Sequence, residues 1–186
     1  MTDLVKSQNS AVTVAKKGAG GGDTHQYLTF NLGSEMFAVG ILNVKEIIEY
    51  GNLTEIPMMP TFIRGVINLR GAVVPVIDLA ARFGGKTSEV QRRTCIVIVE
   101  MKQDEGKQDI GIMVDAVSEV LEIGVKDIEP PPSFGAKIRA DFIAGMGKVA
   151  GKFVIILQID RVLSVDEMAV LANVAQASPE ALGTTA

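Results

Sequence analysis

Apolar and polar residues alternate over several short stretches of this chain. Leu28, Phe30 and Leu32 interleave with Tyr27, Thr29 and Asn31; Gly33-Ser34 turns the chain; Phe37, Val39 and Ile41 alternate on the way back. A period of two around a glycine-containing turn predicts a β-hairpin with one face inward. A second hairpin is predicted over Cys95 to Val114, with Asp104-Glu105-Gly106-Lys107 as its turn. Further strands are predicted at Leu53 to Ile56, Gly65 to Leu69, Val73 to Ile77 and Phe153 to Ile159. Pro75 lacks the amide proton a ladder needs, so its strand is expected at an edge or a bulge. Helix is scarce. The spacing of Met168, Leu171, Ala172 and Ala175 behind Asp166 and Glu167 predicts a helix over 165–176, and short helical turns are expected after Asp78 and Asp160. Many short strands with few helices predict a mostly β barrel or sandwich.

The chain also repeats itself. Ile41 to Glu49 matches Val114 to Glu122 at a constant offset of 73 residues, with Val44, Glu46 and Glu49 meeting identical partners. Phe62-Ile63-Arg64-Gly65 resembles Phe142-Ile143-Ala144-Gly145, and Ile77-Asp78 resembles Ile159-Asp160. Three blocks in the same order indicate an internal duplication, hence two similar small barrels whose halves can exchange strands. The approximate repeats are 26–90 and 94–165, within a folded region over 25–176. Residues 1–24, with Lys16-Lys17-Gly18-Ala19-Gly20-Gly21-Gly22, and residues 177–186 read as flexible arms.

Composition narrows the chemistry. In 186 residues, 18 basic and 22 acidic side chains leave a net charge of −4, which opposes a phosphate-neutralising surface. Trp is absent and aromatics are 5%, which disfavours the base-stacking platform of a barrel that binds single-stranded nucleic acid. One histidine, His25, and one cysteine, Cys95, build neither a metal cluster nor a Cys-His nucleophile. His25 reads as a solvated side chain and Cys95 as a small hydrophobe opening an apolar strand. Asp78 and Asp160, at matching repeat positions, read as caps of the turns that follow, with paired catalytic carboxylates as the competing reading. Arg70 allows two compatible readings: a brace between the barrels and an interface anchor. Pro57-Met58-Met59-Pro60 hints at a contact surface, and Glu129-Pro130-Pro131-Pro132 reads as a stiff connector. No apolar stretch approaches the length of a membrane helix. What remains is protein binding without enzymatic activity, metal or cofactor.

The run Phe30-Asn31-Leu32-Gly33-Ser34-Glu35-Met36-Phe37-Ala38-Val39, followed by Val44-Lys45-Glu46-Ile47, carries a resemblance. So do Pro60-Thr61-Phe62-Ile63-Arg64-Gly65-Val66-Ile67-Asn68-Leu69-Arg70-Gly71, Val74 to Leu79, Gly111 to Val117 and Phe142 to Gly147. Over about 26–172 the chain resembles the CheW family of chemotaxis coupling scaffolds. The resemblance implies two intertwined, five-stranded SH3-like barrels without enzymatic activity. It implies a cytoplasmic adaptor, a monomer in isolation, recruited to membrane-associated arrays where it forms rings with its kinase. Its expected partners are the cytoplasmic tip of methyl-accepting chemoreceptors and the regulatory domain of the histidine kinase CheA. With the repeat, it implies receptor binding at Val44, Glu46, Ile47, Arg70, Val117 and Val120, in a cleft between the barrels. It further implies kinase binding at Leu53, Phe62, Arg64 and Ala72, with Phe134 in a second patch.

Overall fold

The computed structural model describes residues 23–103, 106–131, 140–164, 167, 169–171 and 173. The predicted N-terminal arm as far as residue 22, the C-terminal arm, Asp104-Glu105, Phe134 and the predicted helical positions Met168, Ala172 and Ala175 lie outside them. Asp23 and Thr24, expected in the arm, belong to the fold: Thr24 pairs with Gly124, and the Asp23 carbonyl accepts from Val125 N at 3.0 Å.

In chain order the strands are β1 (Thr24–Leu32), β2 (Glu35–Gly40), β3 (Val44–Glu49), β4 (Ile63–Leu69), β5 (Ala72–Asp78), β6 (Cys95–Gln103), β7 (Gly106–Val114), β8 (Ala116–Gly124), β9 (Ile128–Glu129), β10 (Ile143–Val149) and β11 (Lys152–Leu157). One helical turn, α1 (Leu79–Arg82), follows β5, and short 3-10 turns occupy the connections Ile41–Asn43, Val125–Asp127, Ala140–Phe142 and Ile159–Arg161.

The strands form two SH3-like barrels that exchange hairpins. One sheet runs β3-β6-β7-β5-β4 and the other β8-β1-β2-β11-β10-β9. Each barrel therefore takes its first two-strand hairpin, β6-β7 or β1-β2, from the opposite half of the chain. The registers match pair by pair. In β4-β5, Ile63 faces Ile77, Arg64 bulges out, and Gly65 faces Val76; in β10-β11, Ile143 faces Leu157, Ala144 bulges out, and Gly145 faces Ile156. Both hairpins close with two left-handed residues, Arg70-Gly71 (φ 53° and 86°) and Ala150-Gly151 (φ 51° and 78°), the turn whose twist suits antiparallel strands.

These pairings correct one alignment made from sequence. Asp78 N donates to Phe62 O at 2.6 Å, and Gln158 N donates to Phe142 O at 2.7 Å. The partner of Asp78 is therefore Gln158, not Asp160. Asp78 does cap α1, accepting from Ala81 N at 3.3 Å, and it also accepts from Ser88 N at 2.6 Å and Ser88 Oγ at 2.9 Å. Asp160 caps no helix; its Oδ1 accepts from Lys102 N at 3.2 Å. Pro75 stands in a strand flanked on both sides rather than at an edge, but the parallel pairing of β5 with β7 begins only at Val76, so no ladder bond is lost at the proline.

Alternation then sorts the apolar residues into three cores. Ile67, Val74, Val76, Ile96, Ile98 and Met113 fill the first-named barrel, and Ala38, Ile123, Val154 and Ile156 fill the second. Between the barrels lies the largest cluster, with Leu28, Phe30, Leu32, Phe37 and Val39 from one side and Val97, Val99, Met101, Ile110, Ile112 and Val114 from the other. Cys95 to Val99 of β6 and Ile110 to Val114 of β7 thus meet a core on both faces, which explains why these stretches read as near-continuous apolar runs, while β1 keeps its alternation. Within the predicted helix, the described residues Glu167, Ala169, Val170, Leu171 and Asn173 are helical, and Leu171 is fully buried against this middle layer.

Candidate protein-binding site

Strands β3 and β8 are the segments matched by the sequence repeat, and the matched residues occupy matched places. Val44 pairs with Val99, and Ile47 with Val97; Val117 pairs with Phe30, and Val120 with Leu28. All four are half-buried and pack against the layer between the barrels. Each strand carries a bulge, around Lys45 in β3 and opposite Thr29 beside β8. The Thr29 hydroxyl, buried, fixes the second bulge by donating to Glu119 O at 2.7 Å and accepting from Glu119 N at 3.1 Å. Lys45 ties down the first through Asp109 at 3.0 Å and Glu100 at 3.4 Å, contacts that raise its own pKa, chiefly through the bond to Asp109.

Which edges of the two sheets meet is decided by Arg82. Its guanidinium lies 5.1 Å from the Phe62 ring centroid and 5.0 Å from that of Phe142. These phenylalanines immediately precede β4 and β10, so the entries to those two strands come together at Arg82. β3 and β8 are the matched end strands of the two sheets, away from β4 and β10. Val44, Ile47, Val117 and Val120 thus sit at matched positions on these end strands, each packed on the middle layer.

Arg70 and Glu46 lie beside them. Arg70 Nη1 donates to Glu46 Oε2 at 2.7 Å and Nη2 to Oε1 at 3.3 Å. The pair joins the β4-β5 turn to β3, across the seam of a single barrel. The brace expected between barrels is thus a brace within one. That seam is closed by one further bridge, in which Thr54 and Val66 exchange two bonds of 2.8 Å. The strand predicted over Leu53 to Ile56 reduces to this bridge.

The residues expected to meet the kinase are not all brought together. Leu53 is half-buried against its barrel's core, and Ala72 is exposed at the start of β5. Phe62 precedes Ile63, while Ala72 faces Leu69 at the far end of the same hairpin, about 20 Å away at the usual strand rise. Phe62 is drawn inward under Arg82, and half-buried Arg64 sits in the β4 bulge near it. Phe134 lies outside the described residues. Sequence reasoning missed Arg82 altogether. The matched Phe62 and Phe142 were visible, but nothing local announces the side chain that binds both.

Among the described residues no three His, Cys, Asp or Glu gather to hold a metal. His25 is exposed on β1. Cys95 is half-buried rather than fully buried, its thiol donating to Arg93 O at 3.2 Å, and burial pushes its pKa up. A thiol held protonated in this way is a poor nucleophile. No helix among the described residues is long and apolar enough to cross a membrane.

The model of the CheW-like domain matches residues 26–167. This chain belongs to the CheW-like domain family. The chemotaxis protein CheW of Klebsiella aerogenes is 36% identical over 151 residues, covering 81% of this chain and 89% of that protein. The CheW protein of Rhizobium meliloti is 33% identical over 142 residues, covering 76% of this chain and 89% of that one. Among solved structures, the scaffolding protein TtCheW from Thermoanaerobacter tengcongensis superposes with a TM-score of 0.71 at 36% identity, covering 78% of this chain and 96% of that chain. As a CheW-like protein the chain falls among chemotaxis scaffolds, a family of non-catalytic adaptors.

Proposed function

We propose that this CheW-like protein is an adaptor that couples the helical tips of chemoreceptors to a histidine kinase of the CheA class. The observation that carries this reading is the apolar boundary between the barrels. Four half-buried residues, Val44, Ile47, Val117 and Val120, repeat about a pseudo-twofold on β3 and β8. A half-buried apolar row of that kind suits an amphipathic helix laid into a groove. The Arg70-Glu46 pair at its flank offers polar contacts for the rim. The kinase is assigned to the outer end of the first barrel, around Leu53 and Ala72. A net charge of −4 opposes the alternative of a nucleic-acid-binding barrel.

The test is Val117→Lys. Complete burial of a valine is worth roughly 1.5–3 kcal/mol, and about half of that is still to be gained here. Losing it weakens binding about four- to thirteenfold, and a lysine charge at the boundary adds to the loss. Calorimetry should show receptor-tip binding weakened by at least roughly tenfold, with kinase-domain binding and the unfolding transition retained. Normal receptor binding by this variant would refute the assignment. Loss of folding would make Val117 a core residue.

A further inference from the structure

We infer that Arg82 is a positioning residue that sets the width of the β3-β8 boundary from the opposite edge of the molecule. The inference rests on the proposed receptor site.

One side chain here touches both barrels and the C-terminal segment. Phe62 belongs to the chain entering β4, and Phe142 to the chain entering β10. The guanidinium stands over both rings at 5.1 Å and 5.0 Å. Its Nε donates to Val162 O at 2.8 Å, and its Nη2 to Glu167 Oε1 at 3.0 Å. In the shared register of the two hairpins, Ile77 matches Leu157, so Arg82 matches Val162. Arg82 therefore bonds the backbone of its own symmetry mate. It lies on the pseudo-twofold, where one residue serves two halves.

The clamp is rigidly mounted. Glu167 is held by reciprocal bonds with Ser164, Ser164 N to Glu167 Oε1 at 2.7 Å and Glu167 N to Ser164 Oγ at 3.1 Å, the capping box of a helix start. The next residue after Arg82, Phe83, stacks on Phe37 of the other barrel at 5.7 Å and against Phe142 at 5.8 Å. The Arg82 side chain is only 17% exposed, so its charge is neutralised by Glu167 and the ring faces rather than by water.

The layer between the barrels is otherwise apolar and non-directional. Aliphatic contacts resist separation but specify an angle weakly. Arg82's bonds to Val162 O and Glu167 Oε1 are directional contacts across it, as is the bond from Lys102 N to Asp160 Oδ1, and the place of Arg82 on the pseudo-twofold makes its edge the fulcrum. On this reading a small rotation about it shifts β3, with Val44 and Ile47, relative to β8, with Val117 and Val120. Planar geometry is needed to sit between two rings while filling two acceptors, so lysine is no substitute.

The experiment measures the boundary directly. Spin labels are placed at Glu49→Cys and Glu122→Cys, exposed and symmetry-matched on β3 and β8, in a Cys95→Ala background. The expected result for Arg82→Met is a longer and broader label-to-label distance. Receptor-tip binding should weaken roughly tenfold, while kinase-domain binding changes less than about twofold. Arg82→Lys should give only partial rescue. Glu167→Gln keeps the helix cap and removes the ion pair, so it should shift the distance the same way by less. An unchanged distance in Arg82→Met overturns the inference, as does a changed distance with unaltered receptor affinity. If neither Arg82→Met nor Glu167→Gln folds, Arg82 is a stability residue and the inference falls. Failure of the unaltered protein to bind a receptor tip would instead refute the proposed function, and the label distance would still judge the clamp.

Discussion

Gly65→Ala should damage this fold far more than the same change at its twin, Gly145. Gly65 follows the β4 bulge with φ +148°, a region side-chain-bearing residues rarely adopt. A Cβ built there would stand 2.2 Å from Thr54 O and 2.9 Å from Thr54 C. The obstacle is backbone, and it is the backbone that closes the barrel through the two Thr54-Val66 bonds of 2.8 Å. Strain at such a position costs about 1–3 kcal/mol. Losing two hydrogen bonds adds about 0.5–1.5 kcal/mol each. The expected total is about 2–6 kcal/mol, against a stability of about 5–15 kcal/mol for a typical domain. At Gly145 the nearest atoms are Ile128 Cγ2 at 2.6 Å, a side chain, and Glu129 O at 3.1 Å. A movable methyl lowers that cost to about 1–2 kcal/mol. Urea denaturation of both variants measures the difference, and calorimetry should place the Gly65 variant roughly 5–20 °C below the parent. Equal losses at the two sites, or a loss below about 1 kcal/mol at Gly65, would refute the account of barrel closure.

Leu53→Asp should weaken kinase-domain binding while receptor-tip binding holds; intact kinase binding in a pull-down would move that surface elsewhere. The Arg70-Glu46 pair leaves the arginine side chain 77% exposed, so a double-mutant cycle on thermal stability should return a coupling of about 0.2–1 kcal/mol. A coupling above about 2 kcal/mol would show that the pair does more than brace a solvated seam. Burial holds the Cys95 thiol protonated at pH values where a free thiol begins to ionise, near 8.5. Native Cys95 should therefore be alkylated at least about tenfold more slowly than in denaturant, its rate rising only at pH above that value; equal rates would contradict this.

Local alternation alone determined several strands. Leu28-Phe30-Leu32 and Phe37-Val39 announce strands because every second residue meets the middle core, and Cys95 to Val99 and Ile110 to Val114 announce them as short apolar runs whose two faces meet two cores. The duplication was legible too, and the offset of 73 between Val44 and Val117 matches the observed pairings with Val99 and Phe30. Yet β3 and β8 themselves went unpredicted as strands. Their bulges break the period of two, so the repeat was visible while its conformation was not. The offset of 80 was legible where the later hairpins begin, in Phe62-Ile63 against Phe142-Ile143, but was lost at their far end, where Asp160 imitates Asp78 in sequence while Gln158 replaces it in space. Tertiary structure alone decided that each barrel borrows a hairpin from the other half, that the largest core lies between the barrels, and that Arg82 stands between Phe62 and Phe142. Periodicity reports burial one residue at a time. Which strand supplies the burial, and which distant ring meets a cation, depends on contacts between residues as far apart in the chain as Phe37 and Ile155, and no local pattern encodes them.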